Sequence, residues 1–303
     1  MSGLAFIIAG MLAAATPFLL AALGELVAER SGVLNLGIEG MMAFGAVVAF
    51  IIVHRQGGHV AGFLLAGVAG MALALVFAWL ALSLRANQVA AGLAIAILGD
   101  GLSALFGKTY ESTTVTGLPK IALPGLADLP VVGGLFRQDP IVWLTLLATL
   151  GIWYALRFTK LGLVIRAVGE NPGAARAIGY PVLAIRYGAV AFGGLMAGFA
   201  GAYASTVYTP LWAEGMIAGR GWIALALVVF ATWMTGRVFF GAVLFGAVSL
   251  AGLAAQASGV SLNSQFLASL PYIVTIVVLG IISSNKRLLK INGVASLGEP
   301  FGP

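Results

Sequence analysis

The chain has 303 residues, of which 61% are hydrophobic and only 9% charged, and its formal net charge is +6. Soluble domains carry about 25% charged residues, so this chain cannot cover itself with a solvated surface, and a soluble enzyme or nucleic-acid-binding protein is excluded. Apolar runs as long as spanning helices favour an all-α, polytopic transmembrane bundle over a β-barrel. The chain has no cysteine, which excludes disulfides and thiol chemistry.

About nine membrane spans are predicted, with eight to ten possible. They are placed at about 3–28, 33–53, 60–84, 88–107, 141–158, 187–207, 221–235, 238–257 and 268–284. The first lacks a basic leading region and is too long for the apolar core of a signal peptide, so we expect it to be retained as a helix.

Basic residues predict the orientation of the bundle. The segment 157–186 holds five of the sixteen Lys and Arg residues, and the tail 285–303 adds three. Because Lys and Arg remain in cytoplasmic loops, both segments are expected in the cytoplasm. The Pro-, Gly- and Thr-rich loop 108–140 is then expected outside.

The segment 31–46, SGVLNLGIEGMMAFGA, places a carboxylate and several glycines inside an apolar run. A charge near the bilayer centre costs at least ~3 kcal/mol and usually faces a cavity or a partner. Glu39 between Gly37 and Gly40 therefore predicts a broken helix near 35–40, of the kind that forms substrate sites in transporters. Residues 30–33 are expected to be a wet connection before the break.

Two other acidic residues lie inside or at the edge of apolar spans, and each has an alternative interpretation. Glu25 either faces a cavity or joins Glu29 and Arg30 at a wet helix end. Asp100 either faces a cavity or lies near a helix break between two glycines.

The segment 169–179 predicts a short helix between two spans. Asn171 is a suitable N-cap, Pro172 suits the first helical position, and Gly179 is a suitable stop. Because a helix of under two turns is marginal alone, we expect this one to dock on a neighbouring surface. The alternative is an ordinary surface helix in a basic loop.

Small residues recur at helical spacing in FGGLMAGFAGAYAS, as in Gly194-x3-Gly198 and Ala197-x3-Gly201. Such spacing lets helix backbones approach closely. Packing within the bundle is the favoured interpretation, and a dimer face is the alternative.

The sequence lacks the usual signatures of an enzyme. The stretch 101–109 has one residue too many between its glycines for a phosphate-binding P-loop, and 219–224 fits G-x-G-x-x-A without a surrounding βαβ unit. His54 and His59 are expected to be polar turn residues rather than metal ligands. Without a nucleophile and base set, a conduit is favoured over a catalyst.

Two blocks, 24–42 (GELVAERSGVLNLGIEGMM) and 161–179, resemble the permease subunits of bacterial ABC importers in the branched-chain amino-acid and ribose permease family. The form E-R-x-G-V-x-N-L-G-I-E-G-M-M is similar to the nucleoside-type branch, whose partner is a basic-membrane-protein-like lipoprotein. The stretches 87–95 and 219–226 add to the likeness. A departure is Ala96, where relatives often carry Asn.

The resemblance implies a single permease domain, 1–303, in the bacterial cytoplasmic (inner) membrane. It implies pairing with a second permease, either a sister or a copy of this chain, a cytoplasmic ABC ATPase, and an extracytoplasmic substrate-binding protein. ATP and Mg²⁺ are expected on the ATPase, with no cofactor and no nucleic acid on this chain. The implied solute is a nucleoside. The alternatives are a simple sugar, a branched-chain amino acid, or a stand-alone secondary transporter using Glu39 or Asp100.

The site residues expected from the pattern and the resemblance form two groups. The substrate path is expected to include Asn35, Glu39, Gln88, Glu25 and Trp222. The contact with the ATPase is expected at Gly169, Glu170, Asn171, Pro172, Ala174, Ala175, Arg176 and Gly179. Trp222, Trp212 or Tyr203 would stack on a base, unless they serve as interfacial anchors.

Overall fold

A computed structural model describes residues 3–127, 133–257, 264–283 and 293–299. Within these residues the chain is a helical bundle with one short antiparallel strand pair. The helices are α1 Gly3–Arg30, α2 Ile38–Gln56, α3 His59–Ala78, α4 Gln88–Gly107, α5 Pro140–Phe158, α6 Lys160–Glu170, α7 Pro172–Ala177, α8 Val182–Tyr203, α9 Arg220–Phe230, α10 Thr235–Ala257 and α11 Ser264–Ser283. The strands are β1 Ile121–Ala122 and β2 Arg137–Gln138, and π turns at Trp79–Ser83 and Ala204–Tyr208 extend α3 and α8.

Polar side chains fix several helix starts. The Asn87 side chain accepts the Ala90 N–H at the start of α4. The Asp139 carboxylate accepts two N–H groups at the start of α5. Because the first N–H groups of a helix have no partner within it, such caps define where the apolar helix begins.

Seven of the described helices are long and apolar enough to cross a membrane, which confirms a polytopic helical bundle. They are Ile7–Arg30, Ile38–Gln56, His59–Ser83, Gln88–Tyr110, Pro140–Phe158, Val182–Tyr208 and Thr235–Gln256. α11, with 20 residues, lies where the last span is predicted.

The predicted continuous span at 221–235 is wrong. α9 has only 11 residues, about 16 Å at 1.5 Å per residue, whereas the hydrocarbon core is about 30 Å thick. The apolar residues continue beyond Phe230, but Thr232 and Trp233 have left-handed backbone conformations that end the helix. α9 is therefore a half-helix.

The segment that precedes α9 supplies the rest of this crossing. The Trp212 ring packs against Phe50, near the end of α2. The Gly219 N–H bonds Glu39, at the start of α2. Because these two α2 residues lie about 16 Å apart along the helix, residues 212–219 re-enter the bundle alongside α2.

Contacts between loops define the two faces of the bundle. We call the face at the end of α1 the Arg30 face, where residues 293–299 and α6 meet through the Ser296 and Gly169 backbones. We call the face at the end of α2 the His54 face. There, residues 108–127 and 133–140 fold back, with the Gln138 amide donating to Ala9 O at 2.9 Å.

The small residues of α8 face other helices of the same chain. A Cβ atom at Gly194 would meet Gly70 O, and one at Gly198 would meet Ala66 O, both on α3. A Cβ atom at Gly201 would meet Met42 O on α2. The favoured interpretation, close packing within the bundle, is confirmed for these glycines.

The predicted helix break near 35–40 is confirmed at residues 35–37, within a non-helical segment 31–37 between α1 and α2, whereas residues 38–40 belong to the first turn of α2. The expected wet connection at 30–33 is wrong, because Ser31 and Val33 are fully buried in the protein. Arg186 and the segment 293–299 cover this stretch, with the Arg186 guanidinium donating to Ser31 O at 3.0 Å. The non-helical backbone is thus satisfied by protein groups, as unwound backbone in a membrane requires.

Candidate functional site

The Glu39 side chain joins α2 to the half-helix α9. It is 3% exposed, and its Oε1 accepts the Gly219 N–H at 2.5 Å. Its Oε2 accepts the Gly221 N–H at 2.7 Å and the Trp222 N–H at 3.3 Å. These N–H groups lie at the start of a helix, where they lack helical partners and where the dipole favours an anion. Both carboxylate oxygens are therefore engaged in holding α9.

Two glycines allow the start of α9 to lie close enough to α2 for these hydrogen bonds to form. A Cβ atom at Gly221 would lie 2.6 Å from the Glu39 Cα, so no larger residue fits there without movement. Gly219 has φ +81°, a left-handed conformation that favours glycine. The G-R-G stretch therefore acts as a turn that receives a carboxylate.

A cavity of about 200 Å³ lies between α2, α4 and the re-entrant segment. Its polar lining residues are Asp100, Glu214 and Ser103, and Trp212 also lines it. We call it the acidic cavity. Because carboxylates accept hydrogen bonds and repel anions, its chemistry suits donor-bearing solutes that are uncharged or cationic.

The expected path residues near the break hold the broken backbone. Glu25 Oε1 accepts the Asn35 N–H at 3.0 Å, and Asn35 Oδ1 accepts the Gly37 N–H at 3.0 Å. Gln88 Oε1 accepts the Leu34 N–H at 2.8 Å. The side chains of Glu25, Asn35 and Gln88 are at most 2% exposed. The structure brings them together at residues 31–37, outside the acidic cavity's lining.

The three aromatic candidates lie in different surroundings. Trp222 is 50% exposed on α9, Trp212 is buried, and Tyr203 is fully buried. The Tyr203 hydroxyl donates to Asp139 Oδ2 at 2.8 Å. Of the three, Trp212 lines the acidic cavity.

A polar network on the Arg30 face was not predicted. Arg186, expected only as a loop charge, is 2% exposed and donates to Ser296 Oγ at 2.9 Å. Ser296 Oγ in turn donates to Gly169 O at 2.6 Å. The Gln88 amide donates to Glu299 O at 2.9 Å. Residues 293–299 therefore connect the broken segment to the end of α6, a long-range contact that carries no local sequence signal.

We expect Ser296→Ala to loosen this network. Hydrogen bonds to charged groups contribute about 1.5–3 kcal/mol, and the buried Arg186 would lose one acceptor. The variant should unfold at a lower temperature in detergent than the wild type. Ser83→Ala, which removes a hydroxyl bonded to Tyr187 at the exposed surface, is the control with a smaller expected effect. Equal unfolding temperatures for wild type and Ser296→Ala would contradict the role of Ser296.

The predicted short helix is present as α7. The Asn171 side chain caps it by accepting the Ala174 N–H at 2.9 Å, Pro172 is its first residue, and Gly179 follows it with φ +92°. Ala175 is 2% exposed and packs with Val168 and Val182. The other face of α7 is exposed, including Ala174. α7 is thus anchored on one face and open on the other.

The two histidines form no metal site in the described part of the chain, where no cluster of three or more His, Asp or Glu side chains suits a metal ion. His59 Nε2 lies 2.9 Å from Thr116 O, and the His54 ring packs edge-on against Tyr110 at 5.4 Å. Both occupy the turn region on the His54 face.

Comparison with known proteins identifies relatives along the whole chain. TsgC13 of Haloferax volcanii, whose name provisionally assigns it to a glucose ABC transporter, is 43% identical over 289 residues, 88% of each chain. The guanosine ABC transporter permease protein NupQ of Bacillus subtilis is 33% identical over 96% of each chain. The nucleoside ABC transporter permease protein NupC of Lactococcus lactis is 29% identical over 96% of each chain.

No solved structure gives a significant match to the chain. The family model described as branched-chain amino acid transport system / permease component matches residues 7–283. Because this match covers most of the chain and the relatives match along most of theirs, the chain belongs to this permease family and is an ABC transporter permease.

Proposed function

We propose that this permease forms the translocation path of an ABC importer in the bacterial inner membrane, with the Arg30 face in the cytoplasm. The basic segment 157–186 and the segment 293–299 meet on that face, which supports this orientation. The observation that carries the proposal is the half-helix α9, held by Glu39 beside the acidic cavity. Discontinuous helices next to a polar cavity are characteristic of transport sites.

The proposed solute is a nucleoside. Two relatives named for nucleoside or guanosine transport match over 96% of the chain. The carboxylates of Asp100 and Glu214 suit ribose hydroxyl donors. A hexose is the second candidate, favoured by the 43% identical relative named for glucose.

The predicted path residues receive two proposed roles. Glu39 acts on the path by holding α9, while Asn35, Glu25 and Gln88 act by fixing the broken backbone beside it. Trp222, half exposed on α9, faces the outside of this protomer, where a second permease or lipid would meet it.

Each soluble partner is assigned to one of the two faces of the bundle. On the Arg30 face, the exposed side of α7, within the segment Gly169–Gly179, docks on a cytoplasmic ABC ATPase, which binds ATP and Mg²⁺. On the His54 face, a substrate-binding protein delivers the solute. A second permease, either a copy of this chain or a sister, completes the membrane unit.

Reconstitution tests this function most simply. The permease is assembled in proteoliposomes with candidate ATPases and binding proteins, and ATP hydrolysis is measured with guanosine, glucose or leucine present. We expect guanosine to stimulate hydrolysis and to accumulate inside the vesicles. Stimulation by glucose or leucine alone would overturn the nucleoside assignment.

We expect Ala174→Glu to abolish association with the ATPase while the permease remains inserted, because Ala174 lies on the exposed face of α7. Ala175 is unsuitable for this test, since its burial against Val168 and Val182 would disturb the loop itself. A pull-down of the ATPase gives the measurement.

Ala122→Glu is the matched control, because Ala122 is exposed in β1 near the His54 face. It should retain the ATPase at the wild-type level. Undiminished association in Ala174→Glu would rule out α7 as the docking helix.

A further inference from the structure

Arg220, the first residue of α9, is a cation inside the bundle. It lines a cavity with Ala14, Pro17 and Phe18, which lie at the middle of α1. The same cavity is lined by mid-helix residues of α10 and α11. Arg220 therefore lies near the middle of the membrane. An ionisable residue at this depth is expensive and usually marks a functional site.

The Arg220 guanidinium retains unused hydrogen-bonding capacity. Its Nη1 is buried, and no atom of the described residues accepts a hydrogen bond from it. Glu39 lies within electrostatic range, but both of its oxygens are engaged by the backbone N–H groups of α9. A buried donor without an acceptor is costly, so this geometry calls for an additional acceptor.

The remaining lining residues suit a flat, polar ring. The cavity measures about 180 Å³, enough for roughly six waters at ~30 Å³ each. Its walls include the rings of Phe18 and Phe245, whose centroids are 4.7 Å apart, and the phenols of Tyr208 and Tyr272. Aromatic walls with a few convergent polar groups are typical of small-molecule sites. We call it the Arg220 cavity.

The Arg220 cavity adjoins the acidic cavity. Ala218, in the re-entrant segment, lines both of them. One cavity offers hydrogen-bond acceptors, through Asp100 and Glu214, and the other offers donors, through Arg220. A nucleoside has the complementary division, with hydroxyl donors on the ribose and acceptors on the base.

We propose that the Arg220 cavity holds the base of a 6-oxopurine nucleoside during transport, an inference that rests on the proposed nucleoside function. A guanidinium has donors only and pairs in a bidentate manner with the O6 and N7 acceptors of such a base. Adenine carries an amino group in place of O6. That amino donor would face an N–H donor of the Arg220 guanidinium, so the second hydrogen bond could not form. Arg220 is thus a specificity-determining residue for the transported solute.

The test uses the complete reconstituted transporter, with its ATPase and binding protein, in four forms. These are the wild type, Arg220→Gln, Arg220→Lys and the control Arg85→Gln, whose side chain is exposed between α3 and α4. Uptake of guanosine and adenosine, basal ATP hydrolysis and assembly of the complex are measured for each.

Arg220→Gln should raise the KM for guanosine by about tenfold or more, because a bidentate contact is lost. The KM for adenosine should change much less, and assembly of the complex should remain unchanged. Arg85→Gln should match the wild type in uptake and in basal hydrolysis. Arg220→Lys should lie between wild type and Arg220→Gln, since it keeps the charge without the paired donors. Tyr272→Phe, a milder change in the same cavity, should raise the guanosine KM with assembly intact.

Three results would overturn the proposal. The first is an unchanged guanosine KM in Arg220→Gln. The second is an equal loss for guanosine and adenosine, and the third is loss of assembly in all the cavity variants, which assigns Arg220 a structural role. A wild-type transporter that moves glucose but no nucleoside refutes the proposed function itself, an outcome distinct from these three.

Discussion

Replacing Glu39 with alanine is expected to abolish solute uptake and to destabilise the permease. The carboxylate accepts three backbone N–H groups at the start of α9, and each charge-assisted bond contributes about 1.5–3 kcal/mol. Without it those N–H groups are buried and unpaired, so the re-entrant segment and α9 lose their common anchor. We expect uptake to fall by about 100-fold or more, since the loss of three such bonds exceeds the ~2.8 kcal/mol that corresponds to 100-fold.

Glu39→Gln is a more conservative substitution than Glu39→Ala. It keeps the shape, but its amide nitrogen is a donor and opposes one of the backbone N–H groups. Uptake should be impaired with the complex intact. Glu111→Gln, at an exposed position in the loop on the His54 face, is the control and should transport like the wild type. Normal uptake by Glu39→Ala would show that α9 does not depend on this carboxylate.

Replacing Gly198 with leucine is expected to prevent folding of the bundle. A Cβ atom there would meet Ala66 O and lie 2.9 Å from Gly67 Cα, and both are backbone atoms that cannot move aside as a side chain can. Overpacking typically costs about 1–3 kcal/mol, and contact with backbone raises that cost. Little monodisperse protein should remain in detergent.

Gly188 on the same helix gives a matched control, because a Cβ atom there meets nothing within 4 Å. Gly188→Leu should yield folded permease at wild-type levels, as judged by size-exclusion chromatography. Comparable yields for the two variants would contradict the close packing of α8 on α3.

The features that could be predicted from the sequence are those with a local cause. Apolar length places most of the membrane spans, and N-cap chemistry at Asn171 places α7. The glycine spacing in α8 indicates a packing face because helical periodicity brings those residues to one side. Each of these signals is contained within one element.

The half-helix α9 could not be predicted in the same way. The stretch 221–235 is apolar apart from Thr232 and Thr235, and hydropathy does not distinguish a crossing helix from one that starts in mid-membrane. The end of the helix depends on positive φ at Thr232 and Trp233, two residues that do not favour it. The misplaced boundary also put Arg220 at a membrane edge, which concealed its position beside the middle of α1.

The role of Glu39 is set by a partner far along the chain. The carboxylate oxygens of Glu39 accept hydrogen bonds from N–H groups some 180 residues away. The sequence therefore identifies an unusual carboxylate without identifying what it holds. A long-range contact also decides the environment of Ser31. The sequence predicts a wet turn there, whereas in the structure Arg186 covers it. Long-range hydrogen bonds, more than local pattern, decide these sites.

Thiol labelling tests the central claim, that the re-entrant segment beside Glu39 borders the solute path, most directly. The native chain has no cysteine, so Ala218→Cys in the acidic cavity gives a single reactive site, and Ile97→Cys, 74% exposed on the apolar flank of α4, gives the comparison. A membrane-impermeant maleimide applied to the His54 face of the reconstituted transporter should label Ala218→Cys but not Ile97→Cys, and the transported nucleoside should slow that labelling. Absence of labelling at Ala218→Cys from the His54 face, or labelling that the solute does not affect, would contradict the account.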